Sequence, residues 1–211
     1  MIPPGELLVF AAAALVMVLS PGPNMVYLVS RSICQGRAAG MFSLLGVIAG
    51  FFLHVLAAAG GLTALFLAIP FAYEVVRWLG AAYLLYLAWR MVRPGAGSPF
   101  EARTLPEEGP RRLFLTGFLT NALNPKIAVF YLSVFPQFVS PAYGPLFTQG
   151  VLLGLVQIAV SLPVNLAIVL SAATLAGRLR RRPLWLSVQR YVMGFVLGAL
   201  AVRLVTERRS A

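Results

Sequence analysis

Two short runs of residues hold most of the chemistry available to this sequence. One is Ser20-Pro21-Gly22-Pro23-Asn24 and the other Asn121-Ala122-Leu123-Asn124-Pro125-Lys126, and each interrupts a long apolar stretch. Inside hydrocarbon an unpaired backbone N–H or C=O is expensive, so a helix breaks there only where the freed groups face protein or a wet cavity. A first-turn proline has no N–H to leave unpaired, so Pro23 is predicted to open a second half-helix, with Asn24 offering an amide to the break. In the second run Asn121 and Asn124 flank Pro125, and Lys126, the only lysine in the chain, follows. A charge at that depth calls for a cavity or a partner. Half-helix N-termini present N–H groups to anions and half-helix C-termini present carbonyls to cations. A zwitterion such as an amino acid carries one of each. Pro21, Pro23, Asn24, Asn121, Asn124, Pro125 and Lys126 are therefore the predicted substrate-binding set, with Lys126 meeting a carboxylate; the alternative is that the prolines are structural kinks.

A second group of residues suits a path or a coupling site. Gln157, Ser161 and Asn165 stand at i, i+4 and i+8, on one helical face, which points to a permeation path or to interhelical hydrogen bonds. Pro163 lies among them and should loosen that helix. His54, the only histidine, sits in an apolar run, either as a proton carrier or as a neutral ring bonded to a backbone carbonyl. Glu74, one turn before Arg77, forms a membrane-edge ion pair or guards an outer mouth.

The elements that position these residues follow from composition. The chain has 211 residues, 60% hydrophobic and 11% charged, with mean hydropathy +0.86, against about 25% charged residues in a soluble domain. A span takes about 20 residues, so a bundle of about six uses nearly the whole length and leaves no room for a soluble enzymatic domain. The net charge of +11 does not indicate nucleic acid, because the basic residues lie mainly in short loops between apolar runs. Cys34 stands alone, which excludes an internal disulfide and a cysteine-based metal cluster. No His/Glu/Asp set with metal spacing, nucleophile elbow or paired acids within a span supports an enzyme, and no cofactor is expected. A non-transporting scaffold would leave the paired breaks unexplained.

Span one runs from Leu7 to about Val29; with Glu6 before it and no basic n-region it is a retained span, not a removed signal. Span two covers about Gly40 to Ile69, span three Tyr73 to Met91, span four about Leu113 to Val139, span five about Pro145 to Ala176, and a short span six Tyr191 to Val202. Twelve of the 17 basic residues follow spans one, three and five. The positive-inside rule puts those three loops in the cytoplasm and both termini outside, although a five-span version ending inside is also compatible with the basic tail. The two breaks are three spans apart, an odd number, so two successive three-helix units are inserted in opposite orientations. The predicted fold is an all-α polytopic membrane bundle, one domain over 1–211. It consists of two inverted three-helix repeats, about 1–93 and 113–211, with spans one and four broken, joined by a cytoplasmic loop at about 94–112. Three Gly-x-x-x-Gly pairs, Gly46/Gly50, Gly150/Gly154 and Gly194/Gly198, allow close backbone approach, for packing within the chain or for a homodimer.

The run from Ser20 to Asn24, followed by Ser30-Arg31 and Gly36-Arg37-Ala38-Ala39-Gly40, resembles the opening signature of the lysine exporter (LysE) family. The segments from Gly46 to His54 and Glu74 to Leu84, and Asn121 to Lys126 continuing to Phe135-Pro136-Gln137-Phe138, are similar to its homoserine/threonine (RhtB) branch. The resemblance covers essentially the whole chain. It implies proton-coupled efflux of amino acids or their derivatives, with homoserine- or threonine-like zwitterions as substrates, across the cytoplasmic (inner) membrane. The implied partners are the substrate and membrane lipids. Where the branch often has an acidic residue in span five, this chain has Asn165.

Overall fold

In the computed structural model the described residues are 1–20, 22–68 and 106–179, together with 78, 81, 82, 85, 86, 88, 89, 93, 191, 195, 198, 199, 201 and 202; the side chains of 62–68, 125 and 173–179 are not among them. Among these residues every regular element is helical. Span one is built from α1 (Pro4–Leu19) and α2 (Pro23–Cys34), bent by 53° at the break. Span two is α3 (Gly36–Ala68). Span four is α4 (Pro110–Ala122) and α5 (Pro125–Val129), bent by 45°. It continues as a π-helical turn (Phe130–Val134) and a 3-10 turn (Phe135–Phe138). A further 3-10 turn (Pro141–Tyr143) leads into α6 (Leu146–Leu179), which is span five. The stretches Gly36–Gly61 and Leu146–Ala172 are long and apolar enough to cross a membrane, and each bent pair passes the same test of length and composition when its two helices are taken as one span. Most of spans three and six lies outside the described residues.

Local chemistry accounts for where these helices start and stop. Pro4, Pro23, Pro110 and Pro125 each open a helix, where the missing N–H is no loss. The connection between spans one and two shrinks to Gln35, with Gly36 opening α3. Gly36 has φ 84° with open space where a Cβ would stand, so its left-handed turn is the reason for glycine there. Pro163 does not interrupt α6; the membrane-helix environment tolerates it.

Close glycine contacts set the packing. α3 packs against α4 and α6, and α2 against α3 and α6. A Cβ on Gly46 would run into the Phe114 carbonyl, one on Gly117 into the Ser43 carbonyl, and one on Gly50 would lie 2.6 Å from Asn121 Cβ. Across the other face of α3, a Cβ on Gly150 would be 2.8 Å from Ala59 Cα, and one on Gly154 would strike Val55. Two of the three glycine pairs thus serve packing within the chain. Gly194 lies outside the described residues, and Gly198 has nothing within 4 Å.

The two ends of the bundle are each tied. At one end the Tyr143 hydroxyl donates to Glu6 at 2.6 Å, which, with some desolvation, holds the phenol above its ordinary range. Nearby, Phe10 packs against Phe130, Phe135 and Phe138. At the other end Arg31, near the end of α2, forms a 2.8 Å ion pair with Glu108, both side chains under a tenth exposed. Arg31 also donates to the Pro106 carbonyl and to Gln35, and Gln35 donates to the Glu108 carbonyl. The segment before α4 is thereby fastened to the end of span one.

Candidate functional site

The two breaks meet. Asn24, in the first turn of α2, accepts a 3.1 Å hydrogen bond from the side-chain amide of Asn124, and both residues are buried. Asn124 is also the N-cap of α5, its side-chain oxygen accepting from the Lys126 backbone N–H at 3.0 Å, the usual work of an asparagine there. The other half-helix is treated differently. Gly22 caps α2 and brings no side chain, so the positive end of α2 has no side-chain cap.

Lys126 reaches across to the carboxyl end of α1. Its ammonium donates to the Ser20 carbonyl at 2.7 Å, the Met17 carbonyl at 2.9 Å and Ser20 Oγ at 3.1 Å, while Ser20 Oγ donates to the Met17 carbonyl. All three N–H donors of the ammonium are therefore occupied, and the helix dipole favours a cation at this end. Lys126 is buried, and among the described residues no carboxylate pairs with it. Gly22 leaves the space: a Cβ there would sit 3.0 Å from Lys126 Nζ. Its φ of −167° is ordinary extended backbone, so the glycine answers to room and not to conformation.

Asn121, in the last turn of α4, has a fully buried carboxamide. Neither its Nδ2 nor its Oδ1 has a partner among the described residues. The side chain stands against Gly50 of α3, and its own backbone carbonyl lies 3.1 Å from His54 Nε2. A carbonyl only accepts, so Nε2 carries the hydrogen in that bond. A buried amide with no partner carries a desolvation penalty of about 1–3 kcal/mol, which marks Asn121 as a group that a ligand would relieve.

From His54 a polar line crosses the bundle. The His54 ring stacks on Tyr131 at 5.5 Å, and the Tyr131 hydroxyl donates to Gln157 at 2.6 Å. Gln157 donates to Ser161 Oγ at 2.7 Å, and Asn165 to the Ser161 carbonyl at 2.9 Å. Gln157, Ser161 and Asn165 are all buried, so the polar face of span five is turned into the bundle. Tyr131 was not among the expected residues, nor was Ser20 as a cation acceptor. Tyr131 stands seven residues after Asn124 on the same helical face, a hydroxyl in an apolar run, and that was its signal. It also lies in the π-helical turn, a feature frequent at functional sites. Pro21 and Glu74 lie outside the described residues; Pro125 opens α5, and its side chain is not described.

A family model described as LysE type translocator matches residues 15–208. The homoserine/homoserine lactone efflux protein of Salmonella typhimurium is 33% identical over 162 residues, 76% of this chain and 75% of that protein. An uncharacterized membrane protein of Vibrio cholerae is 30% identical over 177 residues, 83% of this chain and 84% of that one. The leucine efflux protein of Salmonella typhimurium is 31% identical over 130 residues, 62% and 61% of the two chains. No solved structure matches.

Proposed function

Because the chain belongs to the LysE type translocator family, we propose that it exports small neutral amino acids or their derivatives across the cytoplasmic membrane from a site at the meeting of the two broken helices. The observation that carries this reading is the fully buried Asn121 carboxamide without a partner, beside the joined pair Asn24 and Asn124. The substrate carboxylate meets the positive end of α2, which has no side-chain cap, together with the Asn24 and Asn121 amides. Its ammonium meets the carbonyl end of α1. No acidic side chain stands beside Lys126 among the described residues, so the site offers no carboxylate to a second substrate cation, which favours a zwitterion over a dibasic amino acid.

The end holding Arg31 and Glu108 faces the cytoplasm, a sidedness that the arginine-rich loops support, and the end holding Glu6 and Tyr143 faces outward. The two three-helix units rock about the breaks to open the site to each side in turn. The names of the efflux relatives, one for homoserine and one for leucine, support a substrate of this size and charge. The polar line from His54 to Asn165 borders the path.

The test is expression in an exporter-deficient bacterium challenged with amino acids and dipeptides. Resistance to a neutral amino acid is expected, lost in the Asn24→Ala/Asn121→Ala double variant. Resistance confined to lysine and arginine, or to nothing on the panel, overturns the reading.

A further inference from the structure

The carbonyl end of α1 holds a cation that belongs to the protein itself. Three acceptors from two residues, the Met17 carbonyl, the Ser20 carbonyl and Ser20 Oγ, converge on one ammonium. Half-helix C-termini in transporters coordinate the coupling cation; here the cation is tethered through the first turn of the opposite broken helix. We propose that Lys126 is the coupling residue of this carrier, its protonated ammonium and the ammonium of the substrate competing for the same acceptors on α1.

This inference rests on the export reading above and gives it a stoichiometry. The acceptor set has room for one cation. With Lys126 protonated, α1 and α5 are clasped by three charge-assisted hydrogen bonds, stronger than neutral ones. When Lys126 releases its proton to the inner side it becomes a neutral amine, and the substrate ammonium takes its place on α1. The zwitterion leaves outward with its covalent bonds unchanged, Lys126 takes one proton from the outer side, and the clasp re-forms. One proton enters for each substrate that leaves, and no other reactant is consumed.

The surroundings leave Lys126 in this role. Among the described residues of the site, α2 brings Tyr27, whose hydroxyl donates to the Leu113 carbonyl, and α3 brings His54, held on the Asn121 carbonyl. The π-helical turn after α5 brings Tyr131, whose hydroxyl is on Gln157. α6 contributes only the uncharged Gln157, Ser161 and Asn165, and Glu6 of α1 is at the far end on Tyr143. None of these is on the carbonyl end of α1. The carrier for the coupling proton is thus supplied without an acid in span five.

The full chain reconstituted in vesicles, with radiolabelled leucine and homoserine as probes, tests this. Wild type is expected to expel the probe uphill against its gradient when a pH gradient is imposed, and to lose that response when an ionophore collapses the gradient. Lys126→Met removes the ammonium and its exchangeable proton and leaves the acceptors on α1 to the substrate ammonium alone. It is expected to retain slow exchange that is flat with pH and to lose the gradient response at least tenfold, while His54→Gln keeps the response whatever its rate. Gradient-driven efflux by Lys126→Met equal to wild type overturns the proposal. So does absence of all exchange in a Lys126→Met protein that elutes as wild type, which would make Lys126 a binding or structural residue. Wild-type efflux that ignores the ionophore also overturns it and needs no variant. A wild type that carries no amino acid overturns the export reading and this inference together, which separates the two failures.

Discussion

The side-chain amide of Asn124 donates to the side-chain oxygen of Asn24 at 3.1 Å, across 100 residues of sequence, and this bond joins the two helix breaks. Asn124 does two jobs, since its oxygen also caps α5. Asn24→Ala leaves a buried Asn124 N–H unpaired, at about 1–3 kcal/mol. Asn124→Ala removes the bond and the cap, the cap alone being worth about 1 kcal/mol. Thermal unfolding in detergent is expected to show both variants destabilised and their effects non-additive in the double variant. Simple additivity would mean that the bond does not couple the breaks.

The glycines divide into those that admit a neighbouring backbone and those that do not. Gly46→Ala drives a methyl into the Phe114 carbonyl and to within 2.8 Å of the Phe118 nitrogen, contacts that no rotamer change relieves. A loss of about 1–3 kcal/mol is expected, read as a lowered melting temperature and reduced monodisperse protein on size exclusion. Gly198→Ala, with open space around it, is expected to leave both unchanged. Equal tolerance at the two positions would refute the close crossing of α3 and α4.

Arg31 and Glu108 form the buried ion pair that fastens the segment before α4 to the end of span one. Removing one partner of such a pair leaves the other charge uncompensated and costs about 3 kcal/mol. Arg31→Ala is expected to show that loss, and Glu108→Ala a comparable one. Arg112→Ala, whose arginine approaches Glu108 at 3.3 Å from an exposed position, is expected to lose under about 1 kcal/mol. Melting curves of the three variants rank them, and an Arg112 effect as large as that of Arg31 would contradict the assignment.

Tyr131→Phe deletes the hydroxyl that donates to Gln157 and keeps the ring that stacks on His54. The protein is expected to fold, with stability lowered by about 1–3 kcal/mol because Gln157 Oε1 loses its donor in a buried place. Transport is expected to fall several-fold. Full activity in Tyr131→Phe would remove the polar line from the path.

Gly22→Ala tests the space beside the ammonium. The added methyl would lie 3.0 Å from Lys126 Nζ and 3.1 Å from Cε, at the flexible end of the side chain, so a fold close to wild type is expected. The ammonium should shift by a few tenths of an ångström from its acceptors on α1, lowering the efflux rate while the amount of folded protein holds. An unchanged rate would show that the position of the ammonium is not critical.

The membrane bundle, its broken spans one and four and the asparagines and lysine at the breaks were legible in the residues themselves. Hydropathy and proline chemistry act locally: twenty apolar residues are long enough to cross as a helix, and a proline in a first turn loses no hydrogen bond. The stripe at Gln157, Ser161 and Asn165 was legible for the same reason, since helical periodicity fixes which residues share a face. Partnership was not legible, because it depends on which ends of which half-helices meet. Lys126 reads in sequence as a group waiting for a carboxylate, yet its three donors lie on two carbonyls and a hydroxyl at the end of α1, more than a hundred residues away. Arg31 reads as a topology charge, yet it is buried on Glu108. Asn124, just before Pro125, is marked locally as a helix cap, yet nothing nearby shows that it also bonds Asn24 while Asn121 is left without a partner. Tertiary packing made that distinction, because a buried polar group is satisfied only by what the fold brings within hydrogen-bond reach.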